Sequence, residues 1–129
     1  MFGRLPSYGF YCRHVSDVRL SNVHVTSKVP DPRPLLTCDD AEGFELHRVS
    51  GTAAGPNQAL LDLRNTRNVF VHGCIAPAET AVFCRVSGDE SQHLTLLGND
   101  LSRAGKALEA QGGASEHEIH LESNAGLKS

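Results

Sequence analysis

The sequence has no tryptophan, one methionine and only 5% aromatic residues. Its core must therefore be built from Leu, Val, Ile, Ala and a few Phe. Basic residues show no excess: 12 Lys and Arg stand against 15 Asp and Glu, and the two signs are interspersed. A nucleic-acid partner needs a basic face, so none is expected. No apolar run reaches membrane-spanning length, so no membrane partner is expected either. The start has no basic-then-apolar pattern of a secretory leader. Met1-Phe2-Gly3-Arg4-Leu5-Pro6 reads like the middle of a protein rather than its beginning. Cys12, Cys38, Cys74 and Cys84 contain no C-x-x-C pair, which leaves zinc without support. Their even number permits disulfides, but three of them fall in apolar columns, as buried free thiols do. G-x-S-x-G, P-loop and H-E-x-x-H motifs are all missing. No cofactor and no metal are expected.

What is present is a repeat. Apolar residues make up 40% of 129 positions, enough for one domain with a core. They recur in pairs two residues apart: Val18/Leu20, Phe44/Leu46, Val69/Val71, Leu94/Leu96 and Ile119/Leu121, at steps of 26, 25, 25 and 25. A spacing of two within each pair is the strand period, and a repeat of this length means a solenoid. A second series precedes the first: Phe10/Cys12, Leu36/Cys38 and Leu61/Leu63 sit eight residues earlier, Cys84/Val86 ten, and Leu108/Ala110 further still. The extra residues fall in the turns at Gly88-Asp89-Glu90-Ser91 and Gly112-Gly113. Asp17, Gly43, Asn68, His93 and Glu118 directly precede the anchors, and the first three tolerate a left-handed backbone. His93 and Glu118 fit less well and predict drift toward the end of the stack. Third strands are predicted at Val23-His24-Val25 and Val49-Ser50-Gly51. The fold class is thus all-β, a parallel β-helix of about five coils of roughly 25 residues. Residues 1–129 form a single domain whose tail, 122–129, is predicted to fray.

Stacking also predicts outward columns. Arg13, Asp39 and Arg64 alternate in sign, as do Arg19 and Glu45, and neighbouring opposite charges on strands attract. Cys38-Asp39-Asp40 offers paired carboxylates of the kind that work in glycoside hydrolysis. However, Asp39 falls in the ion-pair column, and Asp40 aligns with His14 and Asn65 as a turn residue. His47 and His72 share an outward column that no carboxylate or cysteine joins, so they are read as exposed and non-ligating; His117 and His120 are read likewise. Asp62, Arg64, Phe70 and His72 are all expected to face outward. Tyr8, Tyr11 and Arg13 are the candidates for substrate binding, because flat aromatic faces and directional guanidinium donors suit sugars. No residue qualifies as catalytic.

Two segments carry a family likeness. Met1 to Val15, MFGRLPSYGFYCRHV, and Arg33 to Asp40, RPLLTCDD, resemble glycoside hydrolase family 28, the polygalacturonases and related rhamnogalacturonan-cleaving enzymes, and most closely its bacterial members. The likeness extends to about Glu109. It implies the C-terminal coils of a right-handed, pectin-lyase-like β-helix, with a galacturonan- or rhamnogalacturonan-type polysaccharide as partner. The family's signature elements are Asn-x-Asp, an Asp-Asp pair, Gly-His-Gly and Arg-x-Lys. Three are missing, and Asp39-Asp40 comes after the region where the catalytic pair belongs. The resemblance therefore implies the C-terminal portion of a polysaccharide-degrading hydrolase that is inactive alone. The alternative is a free-standing β-solenoid that binds carbohydrate or protein. In either case an open first coil predicts self-association or an N-terminal partner.

Overall fold

The computed structural model describes residues 10–25, 34–51, 59–114, 119–122 and 124. Its elements are β1 (Phe10–Ser21), β2 (His24–Val25), β3 (Leu36–His47), β4 (Ser50–Gly51), β5 (Ala59–His72), β6 (Thr80–Ser87), β7 (Gln92–Leu97), β8 (Ala104–Gln111) and β9 (Ile119–Glu122). No helix occurs among the described residues. Every strand pair is parallel, and together the strands form a β-solenoid of about four turns.

The register follows the repeat. Cys12, Cys38, Leu63, Val86 and Ala110 stand in one column of the first arm of each coil. Val18, Phe44, Val69, Leu94 and Ile119 stand in one column of the second arm. The predicted third strands are present as the pair β2–β4, and an isolated bridge, Ile75 to Asp100, continues that side.

The corners explain how a strand twelve or fourteen residues long can wrap a core. His14, Asp40 and Asn65 have φ of 55, 56 and 49°, and Gly88 and Gly112 continue their column. Asp17, Gly43, Asn68 and His93 have φ of 54, 74, 55 and 52°. Asn22, Arg48, Gly73 and Gly98 have φ of 57, 57, 67 and 62°. Among the described residues, each of the first four coils therefore turns at three left-handed residues in these columns. Asn, Asp and Gly reach that region at least cost, which is why they dominate. His93 adopts the bend in full, so the predicted drift does not occur there; Glu118 lies outside the described residues.

The interior is a stack of apolar columns. Leu36, Cys38, Ala41, Phe44 and Leu46 are buried, as are Leu61, Leu63, Val69 and Val71. A buried Phe or Leu contributes about 1.5–3 kcal/mol. One feature departs from simple alternation. Leu35, Leu60, Phe83 and Ala107 precede the first arm in the opposite phase, yet they are buried in the same core. Asp62, expected outward, is only 7% exposed and accepts a hydrogen bond from Arg64 Nη2 at 2.9 Å. Arg64 thus turns to its own strand rather than to Asp39. Arg19 and Glu45 do pair, at 3.4 Å.

The third corner carries a hydrogen-bond ladder that strand periodicity does not reveal. Asn99, 1% exposed, accepts from Cys74 N at 2.9 Å and donates through Nδ2 to Val71 O at 3.1 Å. Asn124 repeats the pattern one coil later: it accepts from Asn99 N at 3.0 Å and donates to Leu96 O at 2.9 Å. Within the 122–129 tail, Glu122 thus closes β9 and Asn124 is anchored; residues 123 and 125–129 lie outside the described set. Cys74 holds the same position one coil earlier, its Sγ accepting from Val49 N at 3.4 Å. All four cysteines are free thiols. Burial pushes Cys38 and Cys84 up to about 12.

Candidate functional site

Three surface features among the described residues hold chemistry-bearing side chains. The first is an open groove of about 500 Å³ on the outer face of the second arm, where that arm leaves its corner. It is lined by the corner residues Asp17, Gly43 and Asn68, by Arg19, Glu45 and Phe70 two residues on, and by Phe44 between them. The left-handed corner turns each strand so that these outward side chains converge. At Gly43 a Cβ would lie 2.7 Å from Asp17 Oδ1, so the missing side chain keeps the groove open between Asp17 and Asn68.

An aromatic ladder borders the groove. Phe70 stacks on His72 with centroids 4.2 Å apart and planes 15° from parallel. His72 stacks on His47 at 4.3 Å and 11°. Glu45 fixes the ladder, with Oε2 2.7 Å from His72 Nε2. The hydrogen bond from His72, with Arg19 nearby, holds Glu45 below the usual carboxylate range. The expectation that no carboxylate joins the two histidines is therefore corrected. Glu45 belongs to the adjacent column, but its side chain is long enough to cross. No group of three metal-ligating side chains occurs among the described residues.

The second feature is the charge network at Asp40. His14 Nδ1 lies 2.7 Å from Asp40 Oδ2, and Arg67 Nη2 lies 3.0 Å from Asp40 Oδ1. Arg67 also reaches Glu42 at 3.4 Å and Glu90 at 3.9 Å. These partners, His14 first and Arg67 next, hold the Asp40 carboxyl below its ordinary range. A general acid in glycoside cleavage needs a carboxyl that stays protonated, so Asp40 is unsuited to that role. It ties three coils together instead.

A smaller cavity of about 300 Å³ at the third corner contains His24 and Ser50, with Nδ1 and Oγ 2.6 Å apart. No carboxylate orients His24 among the described residues. The neighbouring amides of Ser50 and Arg48 already donate to Val23 O and His72 O. The pair therefore lacks the third member and the oxyanion donors of a nucleophilic site.

The sequence-predicted sugar contacts divide. Tyr8 lies outside the described residues. Tyr11, 37% exposed, and Arg13 are outward on the first arm of the first coil, around the corner from the groove. The groove residues Asp17, Glu45, Asn68 and Phe70 were read only as corner or column members. Their common signal was their position: each lies at a corner or two residues beyond it, in consecutive repeats. No family model, curated protein or solved structure matches this chain.

Proposed function

We propose that this chain is the C-terminal, non-catalytic portion of a pectin-degrading glycoside hydrolase of the β-helical kind, and that its outer face holds a galacturonan- or rhamnogalacturonan-type polysaccharide. One observation carries the binding role: the groove that gathers Asp17, Arg19, Glu45, Asn68 and Phe70. Phe70 offers a flat apolar surface on which a sugar ring can lie. Asn68 both donates and accepts, Arg19 donates, and an ionised Glu45 accepts from hydroxyls. An open groove suits a polymer that extends past both ends of the site. The resemblance of the segments at Met1–Val15 and Arg33–Asp40 to family 28 supports the lineage. The ion pairs that His14 and Arg67 make with Asp40 support a binding rather than a cleaving role.

Affinity electrophoresis through gels containing polygalacturonate or rhamnogalacturonan tests this. Retardation is expected for the native chain, with an apparent Kd about five- to tenfold weaker for Phe70→Ala. No new reducing ends should appear. Equal mobility in the presence and absence of both polymers would overturn the binding role, and steady release of reducing ends would overturn the non-catalytic one.

A further inference from the structure

Asp17 and Glu45 bring two carboxylates to the groove and Arg19 brings one guanidinium, so its lining carries one negative formal charge. That sign opposes an acidic polymer. His47 and His72 stand at its border, and histidine is the side chain whose charge changes between about pH 5 and 8. With both protonated, groove and border together carry one positive charge instead.

The ladder carries those charges to the groove. His72 is the middle ring of three, with Phe70 at 4.2 Å on one face and His47 at 4.3 Å on the other. Its Nε2 meets Glu45 Oε2 at 2.7 Å. His47 Nδ1 lies 3.4 Å from Ser21 Oγ. Its ring rests over Gly73, where a Cβ would come within 3.4 Å of His47 Cδ2. A proton on His72 therefore sits directly behind the Phe70 ring, and a proton on His47 adds a second cation one ring further back.

Charged groups face the ladder from the strands packed around it. β1 supplies Asp17 and Arg19, with Arg19 Nε 3.4 Å from Glu45 Oε1 on β3. Arg48 flanks His47, its Cγ 3.3 Å from the Cβ position of Gly73. On the far side, β7 sets Thr95 and Leu97 beside Phe70 and His72, and neither titrates. His120 and Glu122 lie one coil beyond those two, and His93 follows Asn68 in the corner column. The hydrogen bond from His72 holds Glu45 below the usual carboxylate range, so Glu45 stays ionised while the histidines titrate.

We propose that His47 and His72 make the groove a proton-gated site for an acidic glycan, closing on a uronate polymer in acid and releasing it as pH rises. This rests on the polysaccharide reading. His72 covers one face of Phe70 and leaves the other for a sugar ring. A ring seated there lies about 8 Å from His72, comparable to the screening length of about 8–10 Å at physiological salt. Uronate carboxyls ionise well below the histidine range, so the charge that changes is the protein's.

Isothermal titration of the native chain with a galacturonate oligomer at about pH 5.5 and about pH 8 tests this, with the methyl-esterified oligomer as the uncharged control. The acid form should bind about fivefold more tightly at the lower pH, and the ester should change by less than about twofold. At the midpoint, binding of the acid form should take up protons, read from the heats in two buffers of different ionisation enthalpy. His47→Gln with His72→Gln keeps polar side chains that cannot be charged, and should abolish the pH dependence while the far-UV circular dichroism stays native. His47→Gln alone keeps the Phe70–His72 contact and should leave about a twofold effect. Equal affinity at both pH values, or a pH dependence that survives in the folded double variant, would overturn the gate while leaving the groove reading intact. No binding at either pH would overturn the groove reading and the gate with it.

Discussion

Truncation of Asn99 to alanine tests whether the third corner is held by side-chain hydrogen bonds. Asn99 Oδ1 is the acceptor for Cys74 N, and both residues are buried. Removing it leaves a buried amide without a partner, at a cost of about 1–3 kcal/mol. The Nδ2 bonds to Val71 O and Asn124 Oδ1 are lost too, each worth about 0.5–1.5 kcal/mol net. Together these come to about 2–6 kcal/mol, a large share of the roughly 5–15 kcal/mol that a domain typically has. Urea unfolding followed by far-UV circular dichroism reads this as a lower midpoint at unchanged slope. A loss below about 1 kcal/mol would refute the reasoning, since one unsatisfied buried amide alone costs that much. Asn99→Asp sharpens the test. It keeps the acceptor for Cys74 N but turns a second acceptor toward Val71 O. Burial and that contact raise the introduced carboxyl above its unfolded value. The variant should therefore be close to native stability in acid and lose stability as pH rises through the folded value.

Three further outcomes follow from the same geometry. Thr66 is fully buried, and its hydroxyl has no hydrogen-bond partner among the described residues, so Thr66→Val should stabilise the chain by about 1 kcal/mol in urea unfolding. Asp40 has a folded-state pKa held down by His14 and Arg67, so its contribution is complete above the ordinary carboxylate value and is lost as pH falls through the depressed one. Asp40→Asn should thus lower stability at neutral pH and make no difference below that window, measured as paired melting curves against pH. Native-state thiol titration should modify Cys12 alone, because Cys38, Cys74 and Cys84 are buried and burial holds all three as thiols; denaturation should expose all four.

The sequence by itself determined the coil. Apolar pairs at a spacing of two, recurring every 25 or 26 residues, left one way to bury them: parallel strands stacked in register, with insertions confined to turns. The stretch from Leu61 to Val71 illustrates this. Alone it reads as a hairpin around Asn65 to Asn68; against its repeats it is two arms of one coil, and the register bears that out. The left-handed corners were legible where Asp, Gly or Asn marked them. They were hidden at Arg48 and His93, because the neighbouring coils impose a bend that those residues do not themselves favour.

Tertiary structure alone decided where side chains end up once the columns are formed. Period-two alternation places Asp62 outside, yet it is buried. Leu35, Leu60, Phe83 and Ala107 are buried although they are out of phase with the first-arm pairs that follow them, which alternation alone does not reveal. Glu45 was assigned to Arg19, but its reach also takes it across to His72, which brings a carboxylate to the histidine ladder. The asparagine ladder had a signal in Asn99 and Asn124, 25 residues apart, but periodicity looks for apolar residues in a core. These are polar, Asn99 buried and Asn124 half-buried, and each satisfies the backbone of its neighbouring coil. Sequence period fixes which residues share a column. Side-chain length and unmet backbone hydrogen bonds fix what the column does.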